Sequence, residues 1–101
     1  MTTTINIIDY ANGDTATSYE DGQRCLKAIL QAIDSDIVRL DFMGVNFVIT
    51  AFLNPIIGDL ILLKGPSIMR KIEIINANTS IIQKIKLVKD GSLLKREDID
   101  E

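Results

Sequence analysis

Apolar and polar positions alternate from Thr2 to Asp9. Ile5 and Ile7 share one face, with Thr4, Asn6 and Ile8 on the other, and the β-branched content predicts a strand. Ala11 to Ser18, centred on Asn12-Gly13-Asp14, reads as a turn-rich loop. The period then changes. Cys25, Leu26, Ile29, Leu30 and Ile33 recur at helical spacing, and Thr17 stands three residues before Glu20, which predicts a capped amphipathic helix. Asp34 to Asp36 breaks it. Ile37, Val38, Leu40 and Phe42 form a nearly unbroken apolar run, as a central parallel strand covered on both faces would. After the turn at Gly44, Ala51 to Lys64 predicts a second helix that stops at Gly65-Pro66. Its start has two readings: Thr50 caps it, or Asn54 caps it with Pro55 at the first helical position. A loosened first turn that becomes regular after Pro55 reconciles them.

Lys71 to Ile75 is a third strand. Asn78 or Thr79 caps a last helix, with Ile81, Ile82, Ile85 and Val88 inward, Lys84, Lys86 and Lys89 on a solvated face, and Gly91 at its end. Residues 1–90 then form one domain, and residues 91–101 a charged tail or weak final helix carrying Leu93 and Leu94. The order β-α-β-α-β-α implies a small α/β layer fold, with one mostly parallel sheet packed by helices.

Composition narrows the function. The chain has 101 residues, 47% of them hydrophobic, and a net charge of −3. That suffices for one core and is too apolar for disorder. The mild acidity argues against nucleic acid or an anionic membrane as partner. Without any His, nucleophile–His pairs, a His base and His-ligated metals are excluded. A single Cys forms no internal disulfide and suits a reducing cytoplasm. Val45 to Leu63 approaches the length of a membrane span, but Asn46, Asn54, Pro55, Gly58 and Asp59 interrupt it, so it reads as a strand end and a core helix. No signal peptide is expected at the N-terminus.

Individual residues offer little catalysis. Cys25 lies on an apolar stripe and reads as core. Asp34, Asp36 and Asp41 read as turn and surface carboxylates rather than a metal site. No phosphate-binding glycine loop is present. The informative stretch is Leu40 to Leu60, a buried strand and a Gly turn followed by a hydroxyl residue, Thr50, at a helix N-terminus. There Thr50 serves as an N-cap, or as a phosphorylation switch on a surface that docks a partner.

The motifs LDFMGV (Leu40 to Val45), TAFLN (Thr50 to Asn54) and GDL (Gly58 to Leu60), with the flanking GQRCLKAIL and IEIIN, resemble the STAS superfamily of sulfate transporters and anti-sigma factor antagonists. More closely, they resemble the prokaryotic STAS-like domain family of unknown function, over roughly Ser18 to Val88. In such antagonists an Asp-Ser-x-Gly-Leu loop is phosphorylated on Ser by a GHKL-type ATP-binding kinase. Thr50 stands at the Ser position and Leu53 at the Leu, while Ile49 replaces the Asp and Phe52 the Gly. The resemblance implies a non-catalytic, cytoplasmic regulatory module without cofactor or metal. Its partner would be a protein such as a GHKL-type ATP-binding kinase or an anti-sigma-like factor. The expected contact residues are Asn46, Phe47, Thr50, Ala51, Phe52 and Asn54, with Thr50 as the switch and exposed Phe47 or Phe52 as apolar anchor. The alternative is a small-molecule or nucleotide-binding domain that uses the second helix N-terminus as an anion site. A structural homodimer is a further reading, and an enzyme is not expected.

Overall fold

The computed structural model describes residues 1–100, with side-chain surroundings for residues 1–94. Strands β1 (Thr2–Asn6), β3 (Ile37–Asp41) and β5 (Ile72–Ile75) form a parallel sheet in the order β1-β3-β5. The apolar run of β3 is its centre, as the pattern predicts. Two two-residue strands, β2 (Thr15–Ala16) and β4 (Phe47–Val48), pair in parallel beside it. The chain thus has the mixed α/β, mostly parallel, helix-packed architecture that the alternating periods imply.

Only one face of the sheet is buried, which corrects the expectation for β3. Val38 and Leu40 are fully buried, while Ile37, Arg39 and Asp41 face outward. On that open face the register sets Arg39 opposite Glu73, and the two form an ion pair at 3.1 Å. Facing the core, Ile5 and Ile72 flank the two β3 residues and meet the helical layer.

Helix α1 (Tyr19–Ala32) buries Cys25, Leu26 and Ile29, the predicted stripe. Its cap is Ser18 rather than Thr17: the Asp21 N–H donates to Ser18 Oγ at 3.2 Å. The second helical segment runs without a break through α2 (Thr50–Leu53), a π turn (Asn54–Asp59) and α3 (Leu60–Lys64). The expected loosened first turn is regular, and the irregularity falls one turn later. Pro55 brings no N–H to the carbonyl four residues back and its ring crowds that carbonyl, so the backbone widens there. The π turn packs against both α1 and α4 (Thr79–Asp100). Two glycines permit this closeness. A Cβ on Gly22 would fall inside contact distance of the Phe52 carbonyl oxygen and 2.7 Å from Pro55 Cγ. One on Gly58 would meet Ser92 Oγ at 2.9 Å.

Helix α4 starts at the expected cap, with the Ile81 N–H donating to Asn78 Oδ1 at 2.9 Å. It does not stop at Gly91 but continues to Asp100, so no break separates residues 91–100 from the helix before them. Glu101, the last residue of the expected tail, lies outside the described residues. Among the described residues no helix is long and apolar enough to cross a membrane.

Candidate functional site

The segment that leaves β3 sets the site. Asp41 Oδ1 accepts the Met43 N–H and the Asn76 side-chain amide, both at 2.9 Å. These two donors hold its carboxyl below the usual carboxylate range, the Asn76 bond being the larger cause. Gly44 takes φ +84, a conformation that side-chain-bearing residues rarely adopt, and turns the chain back under Ile8. Phe42 and Val45, on either side of the turn, are buried.

Asn46 comes next and is clamped from two sides. Its side-chain amide donates to Asp14 Oδ2 at 3.0 Å, and its own N–H donates to the Asp14 carbonyl at 2.8 Å. Its carbonyl accepts from Asn78 Nδ2 at 2.9 Å. Asn78 therefore serves twice, as the cap of α4 and as the tie that fixes this loop to it. A third tie is Lys84, whose Nζ donates to the Val48 carbonyl at 2.7 Å and lies 4.2 Å from the centroid of the Phe47 ring. Lys84 is thus half-buried against β4, not on the solvated face expected for it. Such a cation over a partly exposed ring contributes about 0.5–1 kcal/mol.

The expected contact residues divide. Asn46, Phe47, Thr50 and Asn54 are exposed, Ala51 is half-buried, and Phe52 is fully buried in the core. Phe52 cannot be the apolar anchor, because α2 turns it inward onto α1 beside Gly22. Phe47 is 45% exposed. Thr50 is the first helical residue rather than the cap, which is Ile49. Thr50 lines a shallow groove of about 260 Å³ between the second helical segment and α4. Thr50 and Asn54 form one wall, and Leu87, Val88, Gly91 and Ser92 the other. A second hollow of about 240 Å³ continues past Asn54 and Ser92 to Tyr19 and Asp59.

The α4 wall is the half of the site that sequence patterning missed. Leu87 and Gly91 lie four residues apart on the helix flank facing Thr50, but the expected stop at Gly91 hid that spacing. The other candidate groups stay apart. Asp34 pairs with Lys64 at 3.1 Å, Asp36 accepts the Thr3 hydroxyl, and Asp41 lies at the opposite end of β3. No metal-holding cluster occurs among the described residues. Cys25 is fully buried, and burial pushes its thiol up to about 12. It is core, with almost no thiolate at neutral pH.

No curated protein and no solved structure matches the chain. A family model does, over residues 21–81, from α1 to the first turn of α4. That region contains β3, the Gly44 turn and Thr50, the segment whose motifs carry the resemblance, and the chain belongs to the STAS-like domain family of unknown function (DUF4325).

Proposed function

We propose that this chain is a non-catalytic regulatory module that docks a partner protein on the face formed by Phe47, Thr50, Asn54 and the adjoining flank of α4. The observation that carries the reading is the position of Thr50. It is exposed, it is the first helical residue, it leaves the cap to Ile49, and it lines the groove beside α4. Phosphorylation there would add nearly two negative charges at the positive end of the helix dipole. The modified chain would keep its fold while an uncharged docking face becomes negative. The partner, on the strength of the family resemblance, is a GHKL-type ATP-binding protein, met in the cytoplasm of a prokaryote. The rival reading, an anion or nucleotide site, draws no support from the groove, whose described lining holds no Lys or Arg.

Affinity capture of the tagged chain from host lysate, with mass spectrometry of the eluate and of Thr50, tests the proposal. Recovery of a GHKL-type ATP-binding protein is the expected result, with Thr50→Asp weakening its binding at least about tenfold, the loss of about 1.4 kcal/mol. Unchanged affinity in a folded Thr50→Asp chain removes Thr50 from the mechanism. A clean, unmodified eluate, repeated with ATP, overturns the partner assignment.

A further inference from the structure

We infer that the Asn12-Gly13 turn is a self-modification site: Asn12 deamidates through a cyclic imide, and the isoaspartyl product loosens the hold of β2 on the loop that carries Phe47. The chain has six asparagines, and the structure sets one apart. The side-chain amides of Asn46, Asn76 and Asn78 donate to Asp14, Asp41 and the Asn46 carbonyl. Asn54 precedes Pro55, whose nitrogen has no hydrogen to give up. Asn6 precedes Ile7, which is β-branched and fully buried. Asn12 is exposed, and its side chain makes no hydrogen bond among the described residues. Gly13 follows it with φ +66, and nothing stands within 4 Å of where its Cβ would be. The Gly13 N–H is likewise unbonded among the described residues.

The free amide and the free N–H are the two groups that the reaction joins. The Gly13 nitrogen attacks Asn12 Cγ, a C–N bond forms, the Cγ–Nδ2 bond breaks, and ammonia leaves with the proton from Gly13. Ring closure consumes an N–H that holds nothing in the fold, next to a residue with no Cβ to crowd the ring. Water then opens the imide. Opening at Cγ leaves aspartate. Opening at the backbone carbonyl leaves isoaspartate, with the main chain rerouted through Cβ and Cγ and one carbon longer. Much hangs on that carbonyl. It accepts the Thr15 N–H at 3.3 Å and the Thr15 hydroxyl at 3.1 Å, while the Asn12 N–H donates to the Thr15 carbonyl at 2.7 Å. Inside this closed turn lies Asp14, whose carbonyl accepts the Asn46 and Phe47 N–H groups and whose carboxylate accepts the Asn46 amide. In isoaspartate the acceptor leaves the main chain and becomes part of a new carboxylate two residues from Asp14. The turn opens, and the Asn46–Phe47 loop loses its anchor while the three-stranded sheet keeps its own bonds.

Ageing the folded full chain in neutral buffer, with peptide mass mapping and enzymatic isoaspartate labelling at intervals, tests this without any partner and so independently of the Thr50 reading. The expected result is a mass gain of an NH2 exchanged for OH, located at Asn12 before any other asparagine, with isoaspartate among the products. Asn12→Gln abolishes that early gain. Gly13→Ala slows it at least about tenfold, because a Cβ beside the attacking nitrogen obstructs ring closure. In the aged chain, amide exchange of Asn46 to Val48 quickens while that of β3 holds. A chain that gains no mass at Asn12, or gains it evenly over its asparagines, overturns the site. Isoaspartate at Asn12 with unchanged exchange in Asn46 to Val48 overturns the coupling to the Phe47 loop.

Discussion

At the scale of single residues, the sharpest dependence is on Gly22. Gly→Ala inside a helix ordinarily stabilises by close to 1 kcal/mol. At Gly22 the added carbon would collide with the Phe52 carbonyl oxygen, and backbone on that side cannot rotate away. Urea denaturation should show Gly22→Ala less stable by about 2–3 kcal/mol, the range for overpacking. Gly58→Ala should cost less, because the obstacle is the rotatable Ser92 hydroxyl. Cys25 gives a pH dependence of known sign. Its thiol titrates at about 12 folded, against an ordinary value of 9.0. Between those values the unfolded chain has released a proton that the folded chain keeps. Stability is therefore full below pH 9.0 and falls as pH rises, by up to about 1.4 kcal/mol per unit. The difference in alkaline melting between the native chain and Cys25→Ala isolates that slope, and parallel curves would refute it. Asp41 shifts the other way. NMR titration should place its carboxyl below the ordinary 3.8, and Asn76→Ala should raise it toward that value.

Among elements, α4 and the β3–α2 segment hold each other through few atoms. Asn78 caps α4 and also donates to the Asn46 carbonyl, so Asn78→Ala removes both bonds at once. Loss of the cap costs about 1 kcal/mol. The second bond adds a local effect: amide exchange in Asn46 to Val48 should quicken more than in β3, and equal protection in both would deny the tie. Elements were legible wherever a period ran long enough. The stripe of α1 and the apolar run of β3 follow from spacing alone, while the cap of α4 was narrowed to Asn78 or Thr79. The pairs β2 and β4 could not be found that way, because two residues show no period and their partner is remote in sequence. The cap of α1 shifts by one residue because Thr17 and Ser18 are both competent, and only the chain's entry angle decides. The π turn escapes prediction because Pro55 falls inside the helix and removes an N–H from its ladder rather than starting it, and the passage of α4 through Gly91 because a glycine that reads as a stop is also tolerated within a helix.

Over the whole molecule, the candidate site was half legible. Motif and residue type pointed to Thr50, Phe47 and Asn54, and all three are exposed. Phe52 was misread because which side of a short helix faces inward depends on its partner α1, which approaches closely at Gly22. The α4 wall was invisible because it joins residues some forty positions apart. Such joining also governs how the chain folds. Residues 21–81 carry the family match, yet the core cluster extends beyond both ends of it. Ile5 and Ile7 enter from the β1 side, and Ile85 and Val88 from α4. Each such side chain contributes about 1.5–3 kcal/mol when fully buried. Together the four rival the 5–15 kcal/mol net stability of a whole domain. Without residues 1–20, β3 also loses its hydrogen-bonded neighbour β1, and β4 loses β2. A fragment of residues 21–81 should therefore give the circular dichroism of an unfolded chain and no cooperative melt. The full chain, with one continuous cluster linking sheet and helices, should melt in a single transition. A folded fragment would mean that the matched region holds a self-sufficient core, and that β1 and the rest of α4 are additions to it.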